Sequence, residues 1–180
     1  MMASTLFLLL LGVVTRIILP LFGYFRWTSA RAELLQAAAL ISRYVVGDLQ
    51  RAPLEGVQLA ASDVFSIHGI EDVSDTGRAV WSSQLIVYGC KQGTLTRVLA
   101  PADVGRPVKP PLGALNAFLL DTHLPHRTLI RGLLKEFELS FSGTHGLPLK
   151  LRLTVSLDVP GRPPQTYEHI QTIQLRNGGG

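Results

Sequence analysis

Cysteine is all but absent from this 180-residue chain: Cys90 stands alone, which excludes an internal disulfide, a zinc ribbon and a dithiol redox pair. Charge is scarce as well, at 17% of residues, and the net excess of +4 is too small and too scattered to recruit nucleic acid. No charged side chain occurs between Met1 and Thr15, and every acid lies at or beyond Glu33. The glycine-rich phosphate loops, the G-x-S-x-G elbow and the H-E-x-x-H zinc motif are all missing, which removes the common nucleotide-binding and hydrolase signatures. What is abundant is apolar: 47% hydrophobic residues and a mean hydropathy of +0.27 exclude a disordered chain and require either a large core or a membrane segment. The length suits one domain of ordinary size.

The apolar surplus is concentrated at the start. Ala3 to Trp27 reads ASTLFLLLLGVVTRIILPLFGYFRW, a run of about 25 residues that as a helix exceeds the ~30 Å hydrocarbon core of a bilayer. A cleaved secretory signal would need a basic start and one short apolar stretch; here the start is neutral and the apolar character resumes after Arg16, so an uncleaved anchor is favoured. Phe22, Tyr24, Phe25 and Trp27 with Arg26 make the aromatic and cationic cluster that marks a headgroup layer. Arg16, near the middle, costs about 2.5–3.5 kcal/mol on insertion, and Pro20 removes a helix hydrogen bond. The remaining leucines can outweigh one arginine; alternatively, helices that bundle can offer Arg16 an acid or carbonyls on a neighbour. Arg16, Arg26 and Arg31 all follow the apolar run, so charge alone does not set the orientation.

Beyond Trp27 the helix is expected to continue to Ala52, where Pro53 closes it. Leu34, Ala38, Ile41, Val45, Leu49 and Ala52 recur every three or four residues and form one apolar stripe, with Glu33, Gln36, Arg43, Gln50 and Arg51 opposite. A helix over residues 3–52 would be roughly 75 Å long, so about half of it protrudes with a stripe that needs cover. Strands supply the cover. Leu149 to Val159 alternates apolar and polar residues without interruption, and YEHIQTIQL at 167–175 returns after the PGRPP turn. VWSSQLIVYGC and TLTRVL flank Lys91-Gln92-Gly93 as a hairpin, LLKEFELSF at 133–141 alternates, and Asp63 to Ile70 is a weaker strand. The proline-rich 101–113 segment reads as loop. The expected fold class is α+β, a long N-terminal helix packed on an antiparallel sheet, divided into 1–27 (transmembrane half), 28–52 (amphipathic half) and 53–180 (globular sheet domain).

The order of these parts resembles the type IV pilin-like proteins, and within them the J-type minor pseudopilins of type II secretion and competence systems. The matching residues are the helix end Val46-Gly47-Asp48-Leu49-Gln50-Arg51, then Trp81, Leu85, Tyr88, Gly93, Leu95 and Arg97. They continue with Leu129-Ile130-Arg131-Gly132-Leu133, Phe137 and Phe141, then Leu147-Pro148 before the 149–157 strand, and end with Leu175-Arg176-Asn177. Each piece is short, and the resemblance lies in their order across nearly the whole chain. The family's leader and Phe-Thr-Leu-x-Glu start have only an echo in Ser4-Thr5-Leu6-Phe7-Leu8, and no acid precedes Glu33. Two explanations stay open: residues upstream of this start, or a divergent member that is not processed.

Enzymatic constellations are weak. Asp121, His123 and His126 sit in a segment broken by Pro125 and read as solvated loop residues before metal ligands. Ser66, His68, Asp72, Ser82 and His145 could be assembled into a triad on paper, yet no nucleophile elbow supports it. Cys90 reads as a small buried hydrophobe, Trp81 and Tyr88 as core aromatics, and Glu71, Asp72 and Asp75 as an acidic loop before a calcium site.

The resemblance implies a non-enzymatic subunit without cofactor or metal, single-pass in the membrane with an extracytoplasmic domain, at the tip of a short fibre. Its implied partners are other minor and major pilin-like subunits, an inner-membrane assembly platform and membrane lipid, with no nucleic acid. The assembly residues would be Leu8, Leu9, Leu10, Leu11, Val13, Val14, Arg16, Ile17 and Pro20, with Leu34, Ala38, Ile41, Val45 and Leu49 packing the amphipathic half. The alternative is a membrane-anchored extracytoplasmic ligand-binding module whose helix is only a tether.

Overall fold

The computed structural model describes residues 2–141 and 148–175, with the side chains of 2–6 and 8 excepted. His145, Leu147, Arg176, Asn177 and the terminal glycines 178–180 lie outside the described residues. One helix, α1, runs from Met2 to Leu49 and continues without a break past Pro20. It ends three residues before the expected Ala52: residues 50–52 form a turn in which Ala52 N–H bonds Leu49 O, and a short 3-10 turn, Leu54–Gly56, leads into the sheet. Pro53 acts at a distance, because the residue before a proline is displaced from helical geometry and the last turn tightens ahead of it.

The strands are β1 (Val57–Leu59), β2 (Val64–Val73), β3 (Ala79–Lys91), β4 (Thr94–Pro101), β5 (His126–Ile130), β6 (Leu134–Phe141), β7 (Leu149–Leu157) and β8 (Gln165–Ile173). All neighbouring pairs are antiparallel. They make two sheets rather than one, in the orders β1-β2-β3-β4-β5 and β6-β7-β8. The break falls at Gly132, whose φ of 71° turns the chain between β5 and β6. The sheets touch there through a hydrogen bond from Leu134 N–H to Gly93 O in the β3–β4 turn, while Ser156 N–H to Leu133 O extends the β6–β7 pairing toward the break. The β3–β4 connection is a two-residue turn with Gln92 at φ 49° and Gly93 at φ 71°, the mirror-image turn that suits hairpin twist.

Buried Leu34, Ala38, Ile41, Val45, Val46 and Leu49 lay one stripe of α1 across both sheets, against β7 and β8 and onto β2 and β5. Glu33, Gln36, Arg43, Gln50 and Arg51 are exposed on the other side. Phe65 stacks on Tyr88 at 4.7 Å and on Phe137 at 5.6 Å, so a three-ring column joins the two sheets under the helix. Opposite α1, a second helix, α2 (Leu112–Leu120), covers the five-stranded sheet by inserting Leu115 among Val64, Leu85, Val87, Val98 and Ala100. β3 is thus covered on both faces, which is why its central residues read as a continuous apolar run.

The structure corrects the expected loop at 101–113, since α2 begins inside it at Leu112. Prolines 110 and 111 set the start of the helix, with Pro111 at its N-cap. β8 begins two residues before the expected Tyr167 because its pairing with β7 starts at Leu157–Gln165, and Val159 lies beyond β7.

Candidate functional site

The first feature with functional weight is the N-terminal half of α1. Among the described side chains from Phe7 to Phe25, thirteen large hydrophobic ones stand exposed, including Leu9, Leu10, Leu11, Val13, Val14, Ile17 and Leu19. Covering such side chains is worth about 1.5–3 kcal/mol each, so leaving thirteen in water would cost on the order of 20–40 kcal/mol. That exceeds the ~5–15 kcal/mol by which a domain is stable. This surface therefore requires lipid or other protein around it. The helix that carries it is long and apolar enough to cross a membrane, with a mean hydropathy of 1.6 over its most apolar stretch. Of the expected assembly residues, Leu9, Leu10, Leu11, Val13, Val14, Arg16, Ile17 and Pro20 are all exposed on this half; the side chain of Leu8 lies outside the described residues.

A polar notch interrupts it. Pro20 supplies no N–H to the carbonyl of Arg16, four residues earlier, so the Arg16 guanidinium and a backbone turn with a freed carbonyl acceptor coincide. Thr15 Oγ1, next to them, donates to Leu11 O at 2.7 Å. Against the gain from thirteen hydrophobes, the ~2.5–3.5 kcal/mol insertion cost of one arginine does not prevent spanning, but it favours a neighbour that satisfies the notch.

The second feature is what holds α1 to the globular domain. Asp48 lies in the last helical turn, where a carboxylate opposes the negative end of the helix dipole. It is buried, and its partners explain it: Tyr88 Oη donates to Oδ2 at 2.5 Å, Arg97 Nε donates to Oδ2 at 2.8 Å and Arg97 Nη2 to Oδ1 at 3.3 Å. β3 and β4 thereby grip the helix end through a forked, charge-assisted contact. Burial, then the charge and hydrogen bond of Asp48, push the Tyr88 hydroxyl far above its ordinary range. Burial pulls the Arg97 guanidinium down, and its hydrogen bond and charge pairing with Asp48 outweigh that and leave it raised. Further along, Arg127 stacks over Tyr44 at 4.4 Å, Ser42 Oγ donates to Gln171 Oε1 and Gln165 Nε2 donates to Trp27 O at 3.2 Å. Sequence reading placed Tyr88 as a core aromatic and did not find this network. The signal available was an acid in the final turn of a helix, out of keeping with the dipole.

The residues that could be assembled on paper into a catalytic or metal group are not brought together as one. His68 is fully buried; its Nδ1 accepts Val108 N–H at 3.0 Å and its Nε2 lies 2.7 Å from Ser82 O, so the ring is neutral with the proton on Nε2. It pins the proline-rich segment to the sheet beside Trp81, whose ring is 5.1 Å away. The Ser66 hydroxyl is buried on β2 without a hydrogen-bond partner among the described residues, and Asp72 is exposed with Oδ1 accepting Val73 N–H. His126 lies in β5 rather than in the expected loop, paired with Val98, and its Nε2 is 2.6 Å from Asp121 O. His123 N–H bonds Asp121 Oδ1. Among the described residues no group of three His, Cys, Asp or Glu could hold a metal ion. Glu71, Asp72 and Asp75 are exposed. Cys90 is half-buried, its thiol raised by burial and then by Asp63, which makes it a poor nucleophile. It borders a cavity of about 500 Å³ between β3 and α2, lined also by Lys91, Asn116 and Leu119. No family model, curated protein or solved structure matches the chain.

Proposed function

We propose that this chain is a non-enzymatic, membrane-anchored assembly subunit of the minor pilin-like kind, which joins other pilin-like subunits through the exposed half of α1. The observation that supports this most is the continuity of α1: one helix passes from an unburied apolar half into a half whose stripe forms the domain core, and its end is gripped by Tyr88 and Arg97. A tether needs no such rigidity, and a flexible link would serve. A rigid lever fixes the orientation of the globular domain relative to the span, which is what stacking of subunits requires. On this reading the bilayer holds the subunit until assembly, and the same apolar surface then packs against neighbouring helices without passing through water. Arg16 and the proline-freed carbonyl beside it supply the polar contact that selects a neighbour. The sheet domain faces the extracytoplasmic side, and the partners are minor and major pilin-like subunits and an inner-membrane assembly platform.

The alternative, a tethered ligand-binding module, draws on the cavity beside Cys90, Asn116 and Leu119. Chemical crosslinking in the native cell, membrane extraction and co-purification separate the two, with the mature N-terminus read by mass spectrometry. Recovery of pilin-like subunits supports assembly, whereas a solitary protein supports the tether.

A further inference from the structure

The β7–β8 turn lies at the membrane end of the molecule. Gln165 at the start of β8 bonds Trp27 O, and Gln171 six residues on bonds Ser42, so β8 climbs alongside α1 and away from the apolar half. The turn before it, Pro160 to Pro164, therefore points back toward the bilayer. Arg162 reaches furthest: a Cβ placed on Gly23 would meet Arg162 Nη2 at 3.3 Å, so the guanidinium rests on α1 inside the last turns of the exposed apolar run. Between turn and helix runs a groove lined by Phe22, Phe25, Arg26, Glu33, Asp158 and Pro160. Glu33 stands ten residues past Gly23, ~15 Å further from the bilayer. Asp158 lies one residue past the Leu157–Gln165 pair, near the level of Trp27. Among the described residues neither Arg26 nor Arg162 is in an ion pair, although both carboxylates border the groove. Prolines at 160, 163 and 164 fix the backbone of a turn whose residues 160–164 are all exposed.

We propose that this turn is a second membrane contact, in which Arg162 with Arg26 holds the phosphate of an anionic lipid headgroup in the leaflet facing the sheet domain. It rests on the membrane anchoring of α1 proposed above. The two guanidiniums are planar donors suited to a phosphate, and Phe22 and Phe25 offer the apolar rim against which the glycerol end of a lipid can lie. The turn would set the depth and tilt of the domain on the surface, which the helix alone, free to rotate in lipid, does not fix.

The test uses the full chain, with Cys90→Ser and Pro163→Cys labelled by an environment-sensitive fluorophore, in mixed vesicles of phosphatidylcholine and phosphatidylglycerol in which one lipid or the other carries brominated acyl chains. Trp27 reports the anchoring itself, since Trp81 is buried in the domain. The expected result is quenching of both Trp27 and the label. Brominated phosphatidylglycerol should be preferred at the label by about five-fold per contributing cation, with most of that preference lost in Arg162→Gln. Quenching of Trp27 with a label that stays in water overturns the second contact and leaves the anchoring intact. Quenching of the label with equal response to both lipids, or with no loss in Arg162→Gln, overturns the phosphate site. If neither probe is quenched, the anchoring reading falls and this proposal with it.

Discussion

Asp48→Ala removes the carboxylate through which β3 and β4 hold the end of α1. Three hydrogen bonds are lost, from Tyr88 Oη at 2.5 Å and from Arg97 at 2.8 and 3.3 Å. Breaking one side of a buried ion pair costs about 3–5 kcal/mol. Two effects reduce that figure here. The Arg97 side chain retains 18% exposure and can recover water, and removing an acid from a helix C-terminus returns about 0.3–1 kcal/mol. The Tyr88 hydroxyl has no such escape, because Tyr88 is fully buried; left unpaired it costs about 1–3 kcal/mol. The expected net loss is about 2–4 kcal/mol, a large share of a domain's stability. Asp48→Asn keeps an acceptor for Tyr88 and should lose roughly half as much. Urea titration of the full chain in non-ionic micelles, followed by emission of the buried Trp81, measures both. A double-mutant cycle with Arg97→Met should give a coupling of 1 kcal/mol or more, within the range found for contacting residues. A loss below about 0.5 kcal/mol for Asp48→Ala, the size of an ordinary surface change, would refute the reasoning.

Other outcomes follow from the same geometry. Because burial and Asp48 keep the Tyr88 phenol protonated in the folded chain, the unfolded state alone releases that proton above pH ~10, so stability falls there by about 1.4 kcal/mol per pH unit. Tyr88→Phe should abolish this alkaline slope, as read from melting temperature against pH between 9 and 12. Ile41→Ala, at a fully buried stripe position, should cost about 2–5 kcal/mol, whereas Leu40→Ala on the exposed side should stay within about 0.5 kcal/mol; the two compared by urea titration check the orientation of the helix. Gly56→Ala should yield little folded protein in expression and proteolysis assays, since a Cβ there would collide with the carbonyl of His68 and press on Trp81 at 2.9 Å. Arg16→Leu should insert into membranes more readily, by about 2.5–3.5 kcal/mol on an insertion scale, and yet lose co-purification with its partners.

Much of the helix was legible because its stripe obeys a single period: Leu34, Ala38, Ile41, Val45 and Leu49 are spaced for one face, and one face is what the sheets cover. The alternation of Leu149 to Leu157 was equally plain, since one side of β7 is buried and the other carries exposed Lys150 and Arg152 before it closes over at Thr154. α2 was hidden by Pro107, Pro110 and Pro111, which read as loop, although Leu112, Leu115, Phe118 and Leu119 already had helical spacing. β5 escaped because it is short and mostly exposed, with only Leu129 and Ile130 buried. The split into two sheets turns on one positive-φ glycine, Gly132, and no periodicity records that. The Asp48–Tyr88–Arg97 grip joins residues 40 and 49 positions apart in the chain. Its parts carry ordinary meanings one by one, and their meeting depends on how α1 lies across β3 and β4.

The most direct measurement is site-specific photocrosslinking in the native membrane, with the crosslinker at Val14 or Ile17 on the exposed half of α1 and, as a control, at Leu120 on α2. An assembly helix predicts adducts from positions 14 and 17 to the N-terminal helices of other subunits, weakened by Arg16→Leu, with a different pattern from position 120. Adducts from 14 and 17 to lipid alone, unchanged by Arg16→Leu, would contradict it.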